Sequence, residues 1–173
     1  MTFSHWRQRP RMFWAILVGA LIGLDQLTKA YFSNTIALGD SIYVTDWFNF
    51  VHTLNRGAAF SFLASADGWQ RPLLIGVSIL VIVPVTLVCM YKNMEPVERW
   101  AGGLVVAGGT SNLIDRIQIG AVVDFLDVHW QGWHWPAFNL ADSYIVCAVC
   151  VWIVLYRNPT SVQPSSTETK VQA

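Results

Sequence analysis

Charged residues are scarce in this chain. Asp, Glu, Lys and Arg make up 13% of its 173 residues, about half the share of a soluble domain. Basic and acidic residues number 11 each, so the formal net charge is zero, which argues against a protein that binds nucleic acid through a basic excess. The mean hydropathy of +0.41 and the nine Trp and nine Phe exclude a disordered chain.

Cysteine is also rare, and familiar metal motifs are missing. Cys89, Cys147 and Cys150 all lie inside apolar stretches, which is typical of small buried side chains rather than of a disulfide framework. The four histidines lack the His-Glu-x-x-His spacing of zinc hydrolases. We therefore expect neither a metal nor a cofactor.

Long apolar runs are what the chain does have. Four of them reach the roughly 20 residues that a membrane-crossing helix requires, at 12–31, 72–91, 100–119 and 138–156. The first run resembles a signal peptide, but it ends in charged residues rather than in a cleavage site, so we predict that it is retained. The pattern predicts a single membrane domain with four transmembrane helices at 1–157 and a disordered cytoplasmic tail at 158–173.

The distribution of basic residues predicts the orientation. Seven of them fall on one side of the predicted spans: Arg7, Arg9, Arg11, Lys92, Arg99, Arg157 and Lys170. The other side and its helix ends hold Lys29, Arg56, Arg71 and Arg116. Because the cytoplasmic side carries the excess of Lys and Arg, both termini are predicted to be cytoplasmic.

The polar residues of three runs lie at one level. Counted from the predicted cytoplasmic ends, Asp25, Asp115 and Asp142 are each about 20 Å along their helices. Ionisable groups inside a bilayer are costly, so a cluster of them is a functional hypothesis by default. The alternative is an interhelical polar clasp, with Lys29 and Arg116 snorkelling to the interface.

Two segments on the opposite side of the membrane look like strands. The segment 32–71 is too long for a bare loop, and its part 41–63 is rich in Ile, Val, Phe, Tyr and Thr, which favours a small sheet. In the second segment, 120–137, the stretch 121–128 is also strand-like. The aromatic cluster at 129–135 is typical of the lipid interface.

Paired carboxylates are the chemistry that fits these residues best. Two Asp side chains held close together share a proton, so that one activates water while the other donates to the scissile carbonyl. Asp142 is one candidate because of its depth. The second is Asp25, Asp115, Asp124 or Asp127, and the residues alone rank Asp115 and Asp124 nearly level.

Two other classes stay open at this point. A Ser/Lys nucleophile pair would use Lys29 with Ser33, Ser61 or Ser111, none of which the sequence singles out. A proton-coupled transporter would use Asp142 as a relay. A relay is expected to carry polar groups through both leaflets, whereas here they lie at one level near one face.

Five blocks of the sequence resemble the signature blocks of the lipoprotein signal peptidases (signal peptidase II). They are Asp-Gln-Leu-Thr-Lys (25–29), Asn-Arg-Gly-Ala-Ala-Phe-Ser-Phe (55–62), Asn-Leu-Ile-Asp-Arg (112–116), Val-Val-Asp-Phe (122–125) and Phe-Asn-Leu-Ala-Asp-Ser (138–143). The resemblance runs from about residue 14 to residue 156 in the order and spacing of the family. It departs at Ser111, where the family commonly has Gly, and this leaves the packing of the third helix there open.

The resemblance implies a fold, an activity and a set of site residues. The fold would be an all-α membrane protein with four transmembrane helices and a small periplasmic β-sheet between helices 1 and 2, in the bacterial inner membrane. The activity would be that of an aspartic endopeptidase that cleaves prolipoproteins just before a diacylglyceryl-modified Cys, and that cyclic peptides such as globomycin inhibit. Its catalytic residues would be Asp124 and Asp142, and its supporting residues Asn55, Asn112, Arg116, Asn139, Asp25 and Lys29.

Overall fold

The computed structural model describes residues 4–57 and 68–157. Four helices account for most of them: α1 (Ser4–Thr35), α2 (Gln70–Tyr91), α3 (Pro96–Gln118) and α4 (Leu140–Arg157). All four predicted apolar runs are therefore helical. The predicted tail at 158–173 and the predicted strand residues at 58–63 lie outside the described residues.

The predicted start of the fourth helix at Phe138 is wrong by two residues. Phe138 instead pairs with the sheet, since its N–H donates to Leu126 O at 3.0 Å and its carbonyl accepts from Leu126 N at 2.9 Å. These bonds hold the backbone of Phe138 extended, so the helix begins at Leu140. As a consequence Asp142 lies in the first turn of α4, closer to the helix terminus than predicted.

Three of the four helices are long and apolar enough to cross a membrane: Arg11–Thr35, Gln70–Tyr91 and Leu140–Arg157. Within the described residues, α3 does not join that group, although the sequence pattern predicts a span at 100–119. The reason is its position, because α3 packs against α1, α2 and α4 and buries ten of its residues. Polar side chains of a membrane helix can face neighbouring helices rather than lipid.

Glycines of α3 make this central position possible. A Cβ on Gly103 would overlap the Trp14 ring of α1, and one on Gly108 would overlap the backbone carbonyl of Ala141 in α4. Small residues allow helices to approach this closely. Gly108 therefore brings α3 against the residue that directly precedes Asp142.

The sheet is larger than the sequence predicts. Its strands run in the order β1 (Ser41–Thr45), β2 (Phe48–Asn55), β3 (Val122–Trp130) and β4 (Trp133–His134), all antiparallel. The sequence predicts the sheet between helices 1 and 2, but half of its strands come from between α3 and α4, where the strand-like stretch 121–128 contributes to β3. An isolated two-stranded hairpin is marginal in water, and β3 supplies the third strand.

This pairing connects the sheet to the helices. Phe125 of β3 is 2% exposed and stacks on Phe32 of α1 with 4.7 Å between ring centroids. Phe32 also stacks on Phe50 of β2 at 4.5 Å. Successive side chains of a strand point to opposite faces, so a fixed Phe125 also fixes the direction of its neighbour Asp124.

Candidate active site

A buried cluster of acids around one lysine joins α1 to α3. Lys29 Nζ lies 2.7 Å from Asp25 Oδ2 and 2.9 Å from Asp115 Oδ2. Asp25 is 0% exposed and Lys29 is 3% exposed, so the interpretation of Lys29 as a snorkelling side chain is wrong. We refer to Asp25, Lys29 and Asp115 as the acid–lysine cluster.

Every carboxylate oxygen of the acid–lysine cluster has a donor. Asp25 Oδ1 accepts from the backbone N–H of Ala141 at 2.9 Å. Asp115 Oδ1 accepts from Gln26 Nε2 at 2.7 Å, and Asp115 Oδ2 accepts from the backbone N–H of Val123 at 3.2 Å as well as from the lysine. The cluster therefore links α1 and α3 to the beginnings of β3 and α4.

Ser111 belongs to this network. Its hydroxyl is buried, donates to Asp25 Oδ2 at 2.6 Å and accepts from Gln26 Nε2 at 3.0 Å. The side chain of Ser111, where the resemblance would lead us to expect Gly, is therefore accommodated by two hydrogen bonds. The sequence reasoning missed Gln26 as a site residue, although it lies between Asp25 and Lys29 at the predicted polar level.

Asp142 is held by two asparagines. Asn112 Nδ2 donates to Asp142 Oδ1 at 2.8 Å, and the backbone N–H of Asn139 donates to Asp142 Oδ2 at 3.3 Å. The Oδ1 atom of Asn139 in turn accepts from the backbone N–H of Asp142 at 2.9 Å, which is the reciprocal arrangement of a helix N-cap. Asn112 also accepts from Lys29 Nζ at 2.9 Å, so it connects Asp142 to the acid–lysine cluster.

Asp124 is brought to the same place by β3. Its Oδ1 accepts from Asn139 Nδ2 at 2.7 Å, and the Asn55 side chain at the end of β2 also hydrogen-bonds to it. Burial raises the pKa of the Asp124 carboxyl to about 7, and the charge of Asp142 adds to that increase. Asn139 therefore contacts both carboxyl groups, and we refer to Asp124 and Asp142 as the aspartate pair.

The sequence alone ranks Asp115 and Asp124 nearly equal as partners of Asp142, but their contacts in the structure differ. Asp115 accepts from Lys29, Gln26 and the backbone of β3. Asp124 shares Asn139 with Asp142 and forms no ion pair within the described residues. Asp124 is thus the acid that lies with Asp142, and Asp115 is the acid that holds helices together.

Arg116 points into the protein. Its Nη2 donates to Gly57 O at 3.1 Å and its Nη1 donates to Asn112 O at 3.4 Å. Its Nε is buried and has no partner within the described residues. These contacts argue against snorkelling, and they place the guanidinium between the end of β2 and the face of α3 that carries Asn112.

A cavity of about 600 Å³ lies beside the aspartate pair. Asp142, Arg116, Asn112 and Asn55 form its polar part. Most of the remaining wall is apolar and comes from α4 and from the segment before it: Trp135, Pro136, Ala137, Phe138, Ile145, Val146 and Cys147. Ser78 of α2, Gly109 of α3, Val122 of β3 and Ser143 of α4 complete it. An apolar cavity with a few convergent polar groups is the usual form of a ligand site.

The predicted site residues thus meet at one place. Asn55, Asn112, Asn139, Asp124 and Asp142 are joined through hydrogen bonds. Asp25 and Lys29 adjoin them through Asn112. Among residues 4–57 and 68–157, no three His, Cys, Asp or Glu side chains are grouped as a metal site requires.

Comparison with known proteins gives one consistent family. A model described as signal peptidase (SPase) II matches residues 17–157. The chain is 46% identical over 149 residues to a lipoprotein signal peptidase of Azoarcus sp. (strain BH72), covering 82% of this chain and 83% of the relative. It is 42% identical over 160 residues to a lipoprotein signal peptidase of Pseudomonas putida, covering 89% and 92%.

Solved structures agree with the sequence comparison. A bacterial membrane enzyme determined by the in meso method at 2.3 Å superposes with a TM-score of 0.76 and 26% identity, covering 92% of this chain and 94% of that chain. A second such structure, at 1.9 Å, also gives a TM-score of 0.76, with 25% identity and coverage of 86% and 94%.

Proposed function

Because the chain belongs to the signal peptidase II family, we propose that Asp124 and Asp142 are the two acids with which it hydrolyses its substrate. It is a membrane-bound peptidase that removes signal peptides from prolipoproteins. The observation that carries the proposal is the position of Asn139, which donates to Asp124 Oδ1 at 2.7 Å and to Asp142 Oδ2 at 3.3 Å. One residue therefore holds both carboxyl groups at the same site.

The two acids have different environments, and on that ground different roles are proposed for them. Asp124 is 2% exposed and its pKa is raised to about 7 by burial, which supports it as the acid that holds the shared proton. Asp142 lines the cavity and accepts two hydrogen bonds through its carboxylate oxygens, so it is the base. A pair of acids in unlike environments can divide acid and base work in this way.

The proposed reaction follows from these roles. Asp142 takes a proton from water as the water oxygen attacks the scissile carbonyl carbon, while Asp124 gives its proton to the carbonyl oxygen. Asp142 then passes its proton to the amide nitrogen. Asp124 recovers a proton from one hydroxyl of the intermediate as the C–N bond breaks, and both acids return to their starting states. Asn112 and Asn139 keep the carboxyl groups oriented throughout.

Four residues are proposed to support the aspartate pair: Arg116, Asn55, Asp25 and Lys29. Arg116 lines the cavity, so its guanidinium is proposed to bind a substrate carbonyl there. Asn55 hydrogen-bonds to Asp124. Asp25 and Lys29 act at longer range, because Lys29 donates to the Asn112 oxygen while the same amide donates to Asp142.

The proposed substrate is a prolipoprotein with a diacylglyceryl group on the Cys that follows the scissile bond. The apolar part of the cavity supports this, since it continues from Asp142 along α4. A diacylglyceryl anchor contributes about 0.8 kcal/mol per buried CH₂ and holds the Cys at the membrane interface. Membrane lipid and cyclic peptides such as globomycin are proposed as further ligands of the same region.

The proposed topology has four spans in the bacterial inner membrane, with α3 as the fourth, both termini cytoplasmic and the aspartate pair towards the periplasm. The domain is residues 1–157. Reporter fusions test this arrangement: a fusion at Trp130 should read as periplasmic and one at Glu95 as cytoplasmic. A fusion at Asp67, outside the described residues, should read as periplasmic, and a cytoplasmic signal there would reverse the orientation.

The direct test of function is cleavage by purified protein in detergent or lipid. A diacylglyceryl-modified prolipoprotein should be shortened on a gel, and the same protein without the lipid should remain uncut. Uptake of a solute by proteoliposomes in the absence of cleavage would instead favour the proton-coupled transporter, which no contact in the described residues supports. Globomycin should block the gel shift.

A further inference from the structure

Arg71 binds the end of the helix that carries Arg116. It is the second residue of α2, and its Nε donates to Arg116 O at 3.0 Å while its Nη2 donates to Ile117 O at 2.9 Å. These two donors form one edge of the guanidinium, whose planar fork suits two acceptors at once. Arg71 therefore binds two successive backbone carbonyls of α3.

Arg71 supplies hydrogen-bond donors that these two carbonyls do not find within their own helix. They belong to the last turn of α3, where carbonyls have no partner within the helix and where a cation is favoured by the helix dipole. The chain then turns at Gly120, which has a φ of +75°. A Cβ at Gly120 would lie 3.5 Å from the Arg71 guanidinium, so the turn packs directly against it.

The bound turn lies between two parts of the active site. Arg116, whose carbonyl accepts from Arg71, extends its side chain to Gly57 and lines the cavity. In the other direction, β3 begins at Val122 and carries Asp124. Arg71 itself does not line that cavity within the described residues. Its contacts reach the site only through the backbone of α3.

Arg99 provides a matched contact at the other end of the α2–α3 pair. Its guanidinium donates to Cys89 O and, at 3.3 Å, to Lys92 O, so it binds the last turn of α2 as Arg71 binds the last turn of α3. The two arginines share chemistry and differ in place, because Arg99 lies at the end of the helices away from the aspartate pair.

We infer that Arg71 is a positioning residue for peptide cleavage: by binding the carbonyls of Arg116 and Ile117 it fixes the turn from which Arg116 reaches the cavity. This inference rests on the proposed function of the aspartate pair and of Arg116. Nothing in the signature blocks that carry the resemblance includes residue 71, so the role follows from the contacts of this chain alone.

The test compares kcat, KM and folded yield for Arg71→Met, Arg71→Lys and Arg99→Met on a diacylglyceryl-modified prolipoprotein peptide. We expect Arg71→Met to lower kcat about tenfold with KM changed less than about twofold, because misplacement of a distant group acts on the reacting geometry. Arg71→Lys keeps the charge without the fork and should lower kcat by about threefold. Arg99→Met should lower the thermal midpoint without lowering kcat per folded molecule.

A double-mutant cycle separates positioning from general stability. If Arg71 acts through Arg116, then Arg71→Met should change kcat by less than about twofold in an Arg116→Lys background, since coupled residues are not additive. Multiplicative effects, or an equal loss of kcat in Arg99→Met, would overturn the inference. If Arg71→Met does not fold, the same cycle with Arg71→Lys decides. Absence of cleavage by the unmodified protein would instead contradict the proposed function.

Discussion

Two groups of acids lie side by side in this protein and differ in the partners that hold their carboxyl groups. In the acid–lysine cluster, Asp25 and Asp115 each contact the Lys29 ammonium and each accept from further donors. In the aspartate pair, Asp124 and Asp142 accept from asparagine side chains and a backbone N–H, and neither forms an ion pair within the described residues.

The difference supports the proposal that the aspartate pair is reactive and that the acid–lysine cluster is structural. A carboxylate next to a cation is held in its charged form, whereas a buried carboxyl next to another acid is pushed toward its protonated form. Asparagine fixes the position of a carboxyl group without adding a charge, so it orients the acid and leaves its proton exchangeable. The comparison therefore predicts that changes in the pair act mainly on cleavage. Changes in the cluster should act mainly on folding and reach the pair through Asn112.

The largest expected effect comes from the aspartate pair. Asp124→Asn or Asp142→Asn should each lower cleavage by at least about a thousandfold, because Asn keeps the size of the side chain but cannot exchange the proton. The double variant should be no worse than either single one, as expected for residues that act as a unit. Membrane insertion and folded yield should stay unchanged, as measured by size-exclusion profile in detergent.

Asp115→Asn is the matched control for that experiment, since it changes a buried acid of the other group. Its cleavage per folded molecule should remain measurable while its folded yield falls. The opposite pattern, with activity kept in Asp124→Asn and lost in Asp115→Asn, would show that Asp115 is the partner of Asp142.

The second effect concerns the lysine of the cluster. Lys29→Met should lower the free energy of unfolding by about 3–5 kcal/mol, because it leaves two buried carboxylates without their cation. Folded yield in membranes should therefore drop steeply. The double variant Lys29→Met/Asp115→Asn has one fewer buried carboxylate without a cation, so part of the folded yield should be recovered. A double variant less stable than Lys29→Met alone would refute the assignment of this cluster to structure.

The third effect is the pH dependence of stability at Asp124. The folded-state pKa is about 7 against an ordinary value of 3.8, so the stability that its protonation contributes is complete below about pH 4 and is lost as pH rises through about 7. Asp124→Asn removes this loss. At pH 8 the free energy of unfolding of the variant should exceed that of the unmodified protein by at most about 4 kcal/mol, which would raise its thermal midpoint. Near pH 4 the two thermal midpoints should match.

An Asp124→Asn variant that is destabilised equally at both pH values would mean that the carboxyl is bound as an anion in the folded protein.

Much of this site could be predicted from the sequence, for reasons that particular residues make clear. Asp25 and Lys29 are four apart on one helix, and Asn112 and Arg116 are four apart on another, so local geometry puts each pair on one face. Asp124 could not be separated from Asp115 in this way. Its position depends on the pairing of β3 with β2, a contact between segments about 70 positions apart.

The extent of the sheet could not be predicted for the same reason. The strand pattern at 121–128 identifies a strand but not its partner. The pairing of β2 with β3, in which Thr53 lies opposite Asp124, joins the two segments. The helix α4 begins two residues later than the sequence predicts, because the backbone of Phe138 hydrogen-bonds to Leu126 rather than within the helix. Long-range hydrogen bonds of this kind leave no periodic pattern in the sequence.

The smallest expected effect tests the edge of the acid–lysine cluster at Ser111. Ser111→Gly, the residue common in the family at that position, removes a donor to Asp25 but leaves the contact between Asp25 and Lys29. A hydrogen bond to a charged group contributes about 1.5–3 kcal/mol, and the remaining lysine contact should limit the loss to the lower end of that range. Because Asp25 also accepts from Ala141 N, next to Asp142, a change in kcat would mean that the cluster orients the aspartate pair. The expected outcome is an unchanged kcat with a lower thermal midpoint in detergent, which would show that Ser111 contributes to stability and not to cleavage.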